Sequence, residues 1–263
     1  MLSSSTRPAE PCDHEIAPNG DVVLVLKNAN APFAIWGDPA APASTSASAE
    51  TKSPPPASSI KFLVSSHHLK SASPVFRAAL TGPWNESILT KDGHHQITAE
   101  DWDVRALLAI LYAVHGRNNY VPKIVTLELL CKIAVLVDYY RVHEAVRFPC
   151  LLWVDDLRGS VPRTYGRELV LWLCVSWVFQ NEDILQAVAA TAIGESTEPI
   201  SALELPISGV VISMFQTVRQ WYHVLTVFRR RNQYAQGASV CIPDGLSGRP
   251  SDRLHRRHKR MFV

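Results

Sequence analysis

Hydrophobic and polar positions follow two different periods along the chain, and the change of period divides it. After Gly20-Asp21, the run VVLVL is dense in β-branched residues and predicts a buried strand. Pro32-Phe33-Ala34-Ile35-Trp36 predicts a second short strand, and IKFLVSS from Ile60 a third. Ser73-Pro74 is a helix start, with Ser as the cap and Pro at the first helical position. The helix it opens carries Val75, Ala78 and Ala79 on one face and stops at Gly82-Pro83. His95 to Thr98 suits a further strand. Thr98 followed by Asp101 approximates a capping box for a helix with Val104, Leu107, Leu108 and Leu111 at helical spacing, ending near Gly116. Thr126 to Val142 predicts an amphipathic helix with Leu127, Leu130, Ala134, Val137 and Tyr140 on one stripe. Tyr165 to Thr191 reads as one long helix or two. Val210 to Arg231 is another, with an apolar stripe running from Val211 to Phe228.

Between these stretches the material changes. Asp38 to Ser59 holds Pro, Ala, Ser and Thr with almost no large apolar side chain, so it cannot repay the entropy of ordering. It is expected to be a disordered insertion in a hairpin connection, which costs little because closure entropy grows only logarithmically. Residues 1–19 and 232–263 are expected to be disordered as well. Few strands followed by many helices predict an α+β fold: a small sheet capped by helices over 20–148, then a helical extension over 149–231.

Length and composition agree with a globular core: 263 residues, 47% hydrophobic and 19% charged. Net charge is only +2, but it is unevenly placed. From Arg229 onward nine Arg or Lys face only Asp244 and Asp252, a local +7 that leaves −5 for the preceding 228 residues. The five cysteines are odd in number, widely spaced and lack a CxxC, against a disulfide scaffold or a zinc site. Cys131 and Cys174 sit in apolar helical stretches and are expected to act as small core hydrophobes in a reducing compartment. The N-terminus lacks the apolar segment of a signal peptide. The most apolar run, Leu169 to Phe179, is too short to span a bilayer and predicts a buried helix. An intracellular protein, in cytoplasm or nucleus, is expected.

The chain has no Gly-rich phosphate loop, no GxSxG elbow and no HExxH. His67-His68 and His94-His95 are adjacent pairs whose side chains diverge, poor geometry for a metal. Asp155-Asp156 and Glu182-Asp183 are read as surface or capping carboxylates before an acid/base pair. No catalytic, cofactor or metal residue is therefore expected. The tail HRRHKR supplies one recognition candidate: Arg256, Arg257, Lys259 and Arg260 as a nuclear-targeting or nucleic-acid patch, weighed against a plain solvated tail. Arg229-Arg230-Arg231 ends a helix, where cations complement the macrodipole.

The stretch FLVSSHHLKSASPVFRAALTGPWNES, Phe62 to Ser87, resembles the signature region of BTB/POZ domains through Phe62, Val64, Leu69, Ser73, Pro74 and Phe76. GDVVLVL (Gly20 to Leu26), ALLAILYAVHG (Ala106 to Gly116) and LLCKIAVLVDYYRV (Leu129 to Val142) resemble the strand and helices that flank it in that family. YGRELVLWLCVSWVF (Tyr165 to Phe179) is similar to the helical extension of many BTB proteins of filamentous fungi. Ser65 and Val137 depart from the usual His and Ala. The resemblance implies a protein–protein interaction module without catalysis or cofactor. It would serve as adaptor or scaffold, self-associate as a homodimer, and have a cullin-type ubiquitin ligase or transcriptional corepressors among its partners. The rival is a nuclear regulatory protein contacting nucleic acid through the basic tail.

Overall fold

Alternation of large apolar residues builds the sheet from its middle strand outward. In the computed structural model, residues 12–37, 59–83, 88–90, 92–196, 199–214 and 216–217 are described. Strands β1 (His14–Glu15), β2 (Val22–Lys27), β3 (Ile60–Val64) and β4 (His95–Glu100) pair in the order β1-β3-β2-β4. β2 runs antiparallel to β3 and parallel to β4. The register sets Leu24 opposite both Phe62 and Ile97, so the even positions of β2 and their partners form one buried face. At the foot of the sheet, Gly20 meets the Val64 carbonyl so closely that a Cβ would lie 2.6 Å from the oxygen.

Seven α-helices follow up to residue 196 among the described residues: α1 (Ser66–Ala72), α2 (Pro74–Thr81), α3 (Val104–Val114), α4 (Leu127–Tyr140), α5 (His143–Leu157), α6 (Arg167–Val178) and α7 (Glu182–Glu195). The fold is α+β. Val64, Leu69 and Phe76 are all buried at the strand-to-helix corner. Ser73 caps α2 as expected, its Oγ accepting from the Phe76 N–H at 3.1 Å. The two-helix alternative holds for 165–191: Phe179 and Gln180 break it, Gln180 with positive φ, and Asn181 caps α7. α6 is buried on nearly every side, as its apolar composition requires. No helix among the described residues is long and apolar enough to cross a membrane.

Four expectations need correction. Residues 32–36 are not a strand, because Ala34 has positive φ and the Phe33 and Ala34 carbonyls accept from Arg167 instead of a neighbouring strand. Thr98 caps nothing: β4 runs through it to Glu100, the chain turns at Asp101 with positive φ, and Asp103 caps α3 through the Arg105 and Ala106 N–H groups. Residues 12–19, expected to be disordered, are anchored. Asp13 accepts from the Lys61 N–H, Arg117 donates to the Ile16 carbonyl, and Ile16 is 1% exposed. α5 as a continuous helix lies across the expected boundary between residues 148 and 149. The rest of the 1–19 segment, residues 38–58 of the insertion and the tail 232–263 lie outside the described residues. Of the helix expected over Val210 to Arg231, helical backbone is described at 209–214 and 216–217.

Candidate functional site

The basic residues singled out in the tail, Arg256, Arg257, Lys259 and Arg260, lie outside the described residues, as do Arg229, Arg230 and Arg231. The other candidates are placed by the fold. Asp155 sits on the surface beside Arg158, at 3.7 Å. Glu182 and Asp183 occupy the first turn of α7, where negative charge complements the helix dipole. Cys131 and Cys174 are both fully buried, and burial pushes the Cys131 thiol well up, which suits an inert core group.

The histidines assemble in part. His68 on α1 stacks on His115 at the end of α3, with ring centroids 5.0 Å apart. His115 Nδ1 lies 2.8 Å from the Leu111 carbonyl and Nε2 accepts the Ser65 N–H at 3.0 Å, which fixes a neutral ring with the proton on Nδ1. Burial, with His68 and Arg117 nearby, holds its pKa below the ordinary histidine value. Asp21 works at the same corner: its carboxylate accepts both the Ser66 N–H and the Ser66 hydroxyl. Partial burial pushes Asp21 up, but those hydrogen bonds outweigh it and hold the carboxyl below its usual range. Among the described residues no group of three His, Cys, Asp or Glu could hold a metal.

An ion cluster joins the ends of three helices. Lys132 Nζ lies 3.0 Å from Asp103 Oδ2 and 3.0 Å from Glu128 Oε1, and Arg167 Nη2 lies 3.0 Å from Glu128 Oε2. Arg167 also donates to the Phe33 and Ala34 carbonyls. The planar fork of Arg167 thus fastens the start of α6 to α4 and to the loop after β2. The cluster's hydrogen bonds and ion pairs all join parts of the chain to one another, as in a structural clamp.

α5 differs from every other helix of the core. Its inner stripe, Val146, Cys150, Trp153 and Val154, is buried, and Trp153 Nε1 donates to the Pro122 carbonyl at 2.8 Å. Its outer stripe is also apolar: Phe148 is 73% exposed, Leu151 60% and Leu152 56%. Spacings of three and four residues place these three side by side. Beside them, a groove of about 630 Å³ runs between α5 and the α6–α7 turn, lined by Arg147, Cys150, Leu151, Val154, Val178 and Phe179 among others. This exposed apolar face beside a concavity is the candidate site among the described residues. Sequence reading placed only a helical region here, because Pro149 reads as a break and the outer apolar residues blur the amphipathic pattern. Neither the protein-family models nor the curated proteins compared with the chain match it.

Proposed function

We propose that this chain is a protein–protein interaction module of the BTB/POZ kind, acting as an adaptor or scaffold without catalysis or cofactor of its own. The observation that carries the reading is the outward apolar face of α5, Phe148, Leu151 and Leu152, held rigidly by the anchored inner stripe of the same helix. The inward packing of Val64, Leu69 and Phe76 supports the BTB/POZ resemblance, since those positions carry it. Partners of this module are other proteins, with a cullin-type ubiquitin ligase and transcriptional corepressors as the two classes to look for. Nucleic acid is not among them on this reading.

The test is affinity capture with the intact chain against Leu151→Asp and Phe148→Asp. Both positions face solvent, so thermal unfolding should stay within about 0.5 kcal/mol of the parent, while captured proteins are lost. Deleting 232–263 should leave capture unchanged. An identical set of captured proteins with all three variants would refute the reading. Salt-dependent nucleic-acid binding that disappears when Arg256, Arg257, Lys259 and Arg260 are neutralised would replace it with the nuclear alternative.

A further inference from the structure

A cavity of about 180 Å³ opens among four segments of the chain: the loop after β2, the β4–α3 turn, one side of α4 and the loop at 203–205. Phe33, Trp102, Leu136 and Leu205 give it an apolar lining, and it shares no residue with the groove beside α5. A cavity of about 150 Å³ holds a six-carbon ring, so this one takes a ligand of roughly six to eight heavy atoms or a single side chain. The charges around it are unevenly matched. Asp103 gives Oδ1 to the Arg105 and Ala106 N–H groups and Oδ2 to Lys132, while Glu128 holds Lys132 and Arg167. Those two acids and two bases are neutral as a group. Asp101 and Glu204, both exposed and both in the lining, have no cation partner among the described residues. Asp101 accepts the Asn28 amide at 2.5 Å, and the Glu204 carboxylate has no hydrogen bond among the described residues. Asp101, Glu204, Ala34 and Leu203 are four of the eight non-glycine residues described at positive φ, and all four line this cavity. Such residues are held in place by their surroundings and gather at ligand sites.

We propose that this cavity binds an alkylammonium group, its alkyl arm among Phe33, Leu136 and Leu205 and its cationic head at the mouth with Asp101, Glu204 and the Trp102 ring. A neutral ligand would leave both carboxylates as they are, and an anion would meet two like charges. A cation removes the imbalance and gains an aromatic face, for which tryptophan is the best partner. The chain already makes one such contact in the same lining, with Lys132 Nζ 5.5 Å from the centre of the Phe33 ring. A free amine and the lysine side chain of a bound protein both present this group, and the cavity recognises what they share.

Titrating n-pentylammonium into the full chain tests this, with pentanol and pentanoate as neutral and anionic controls. Proton–nitrogen NMR shifts are read at the Trp102 indole and at the Asp101 and Leu205 amides. The cation should saturate these shifts in the millimolar range, as about six heavy atoms allow, and neither control should. Asp101→Asn and Glu204→Gln should each weaken binding about two- to fivefold, and the double variant should weaken it further. Both substitutions keep the side chain's shape, and asparagine tolerates the positive φ of Asp101. Absence of saturable shifts at these residues, equal binding of pentanol, or an unchanged affinity in the double variant would each overturn the inference. Leu151→Asp, which tests the α5 face, should bind the cation like the parent, so either reading can fail alone. Release of a captured protein by saturating pentylammonium assigns the cavity to a lysine side chain, and retention of every captured protein assigns it to a free amine.

Discussion

Ser73 is fully buried and makes two hydrogen bonds with opposite roles: its hydroxyl oxygen accepts from the Phe76 N–H and its proton goes to the Tyr140 carbonyl, at 2.5 Å. It therefore caps α2 and ties that helix to the end of α4. Ser73→Ala removes a cap and leaves a buried carbonyl without this donor, so urea unfolding should show a loss of about 2 kcal/mol. His115 carries a different kind of constraint. Its ring serves one backbone acceptor and one backbone donor only while neutral, and protonating Nε2 would set two N–H groups against each other at Ser65. The sign of the pH effect follows. The folded pKa lies below the ordinary 6.5, so His115 contributes its full share above that value. As pH falls below about 6.5 the unfolded chain binds a proton that the folded chain refuses, and stability declines until the folded pKa is passed. The groups facing His115 are His68, stacked on it, Arg117 beside it, and His67 and Glu144 across the shared hollow. Urea midpoints measured as a function of pH should fall through this window in the parent and fall less steeply in His115→Gln. Asp21, Asp103 and Glu128 are all held below their ordinary values and act in a separate, more acid window: their stabilisation is present above about pH 4 and is lost as pH falls further.

At the scale of elements, Arg167 decides how α6 enters the fold. It opens the helix and spends its guanidinium on two carbonyls of the loop after β2 and on Glu128 of α4. Arg167→Ala should lower stability by about 2 kcal/mol, the scale of hydrogen bonds to a charged group in a partly exposed site. Arg167→Lys should recover little of that loss, because one ammonium cannot reproduce a fork aimed at three oxygens. Comparing the two midpoints in one denaturation series separates geometry from charge. The elements set by strong local patterns were legible in advance: β2 from its dense β-branched run, β3 from its apolar IKFLV segment, α2 from Ser73-Pro74, and α4 from its apolar stripe. Elements set by distant partners were not. Residues 32–36 have the composition of a strand and lose that conformation to Arg167, more than 130 residues away in sequence. α1 was missed because SHHLKSA offers no apolar stripe beyond Leu69 and Ala72, and Asp21 supplies what holds its start. The candidate site on α5 was hidden for a related reason. A helix that carries apolar groups on its outer face as well as its inner one looks, by pattern, like no amphipathic helix at all.

At the scale of the whole molecule, α6 matters more than its place after the sheet and first helices suggests. It packs along α4 and under α7, and the buried residues of β2, β3, α3, α4 and α6 belong to one continuous core that also takes in Cys131 and Cys174. The helices beyond α5 are therefore not an appendage resting on a finished domain. Removing them would expose the α4 face that carries Cys131, Ala134 and neighbouring apolar groups, surface whose burial contributes roughly 25 cal/mol per Å². Net stabilities of domains this size are only about 5–15 kcal/mol, so losing a helix buried on nearly all sides leaves little margin. A chain ending at Leu157 should accordingly lack a cooperative thermal transition and bind a hydrophobic dye, with helical far-ultraviolet signal partly retained. Extending it through residue 217 should restore a single sharp transition. If the shorter chain instead unfolds cooperatively at the parent temperature, α6 is dispensable to the core. The α5 face would then belong to a domain that folds without the helices behind it.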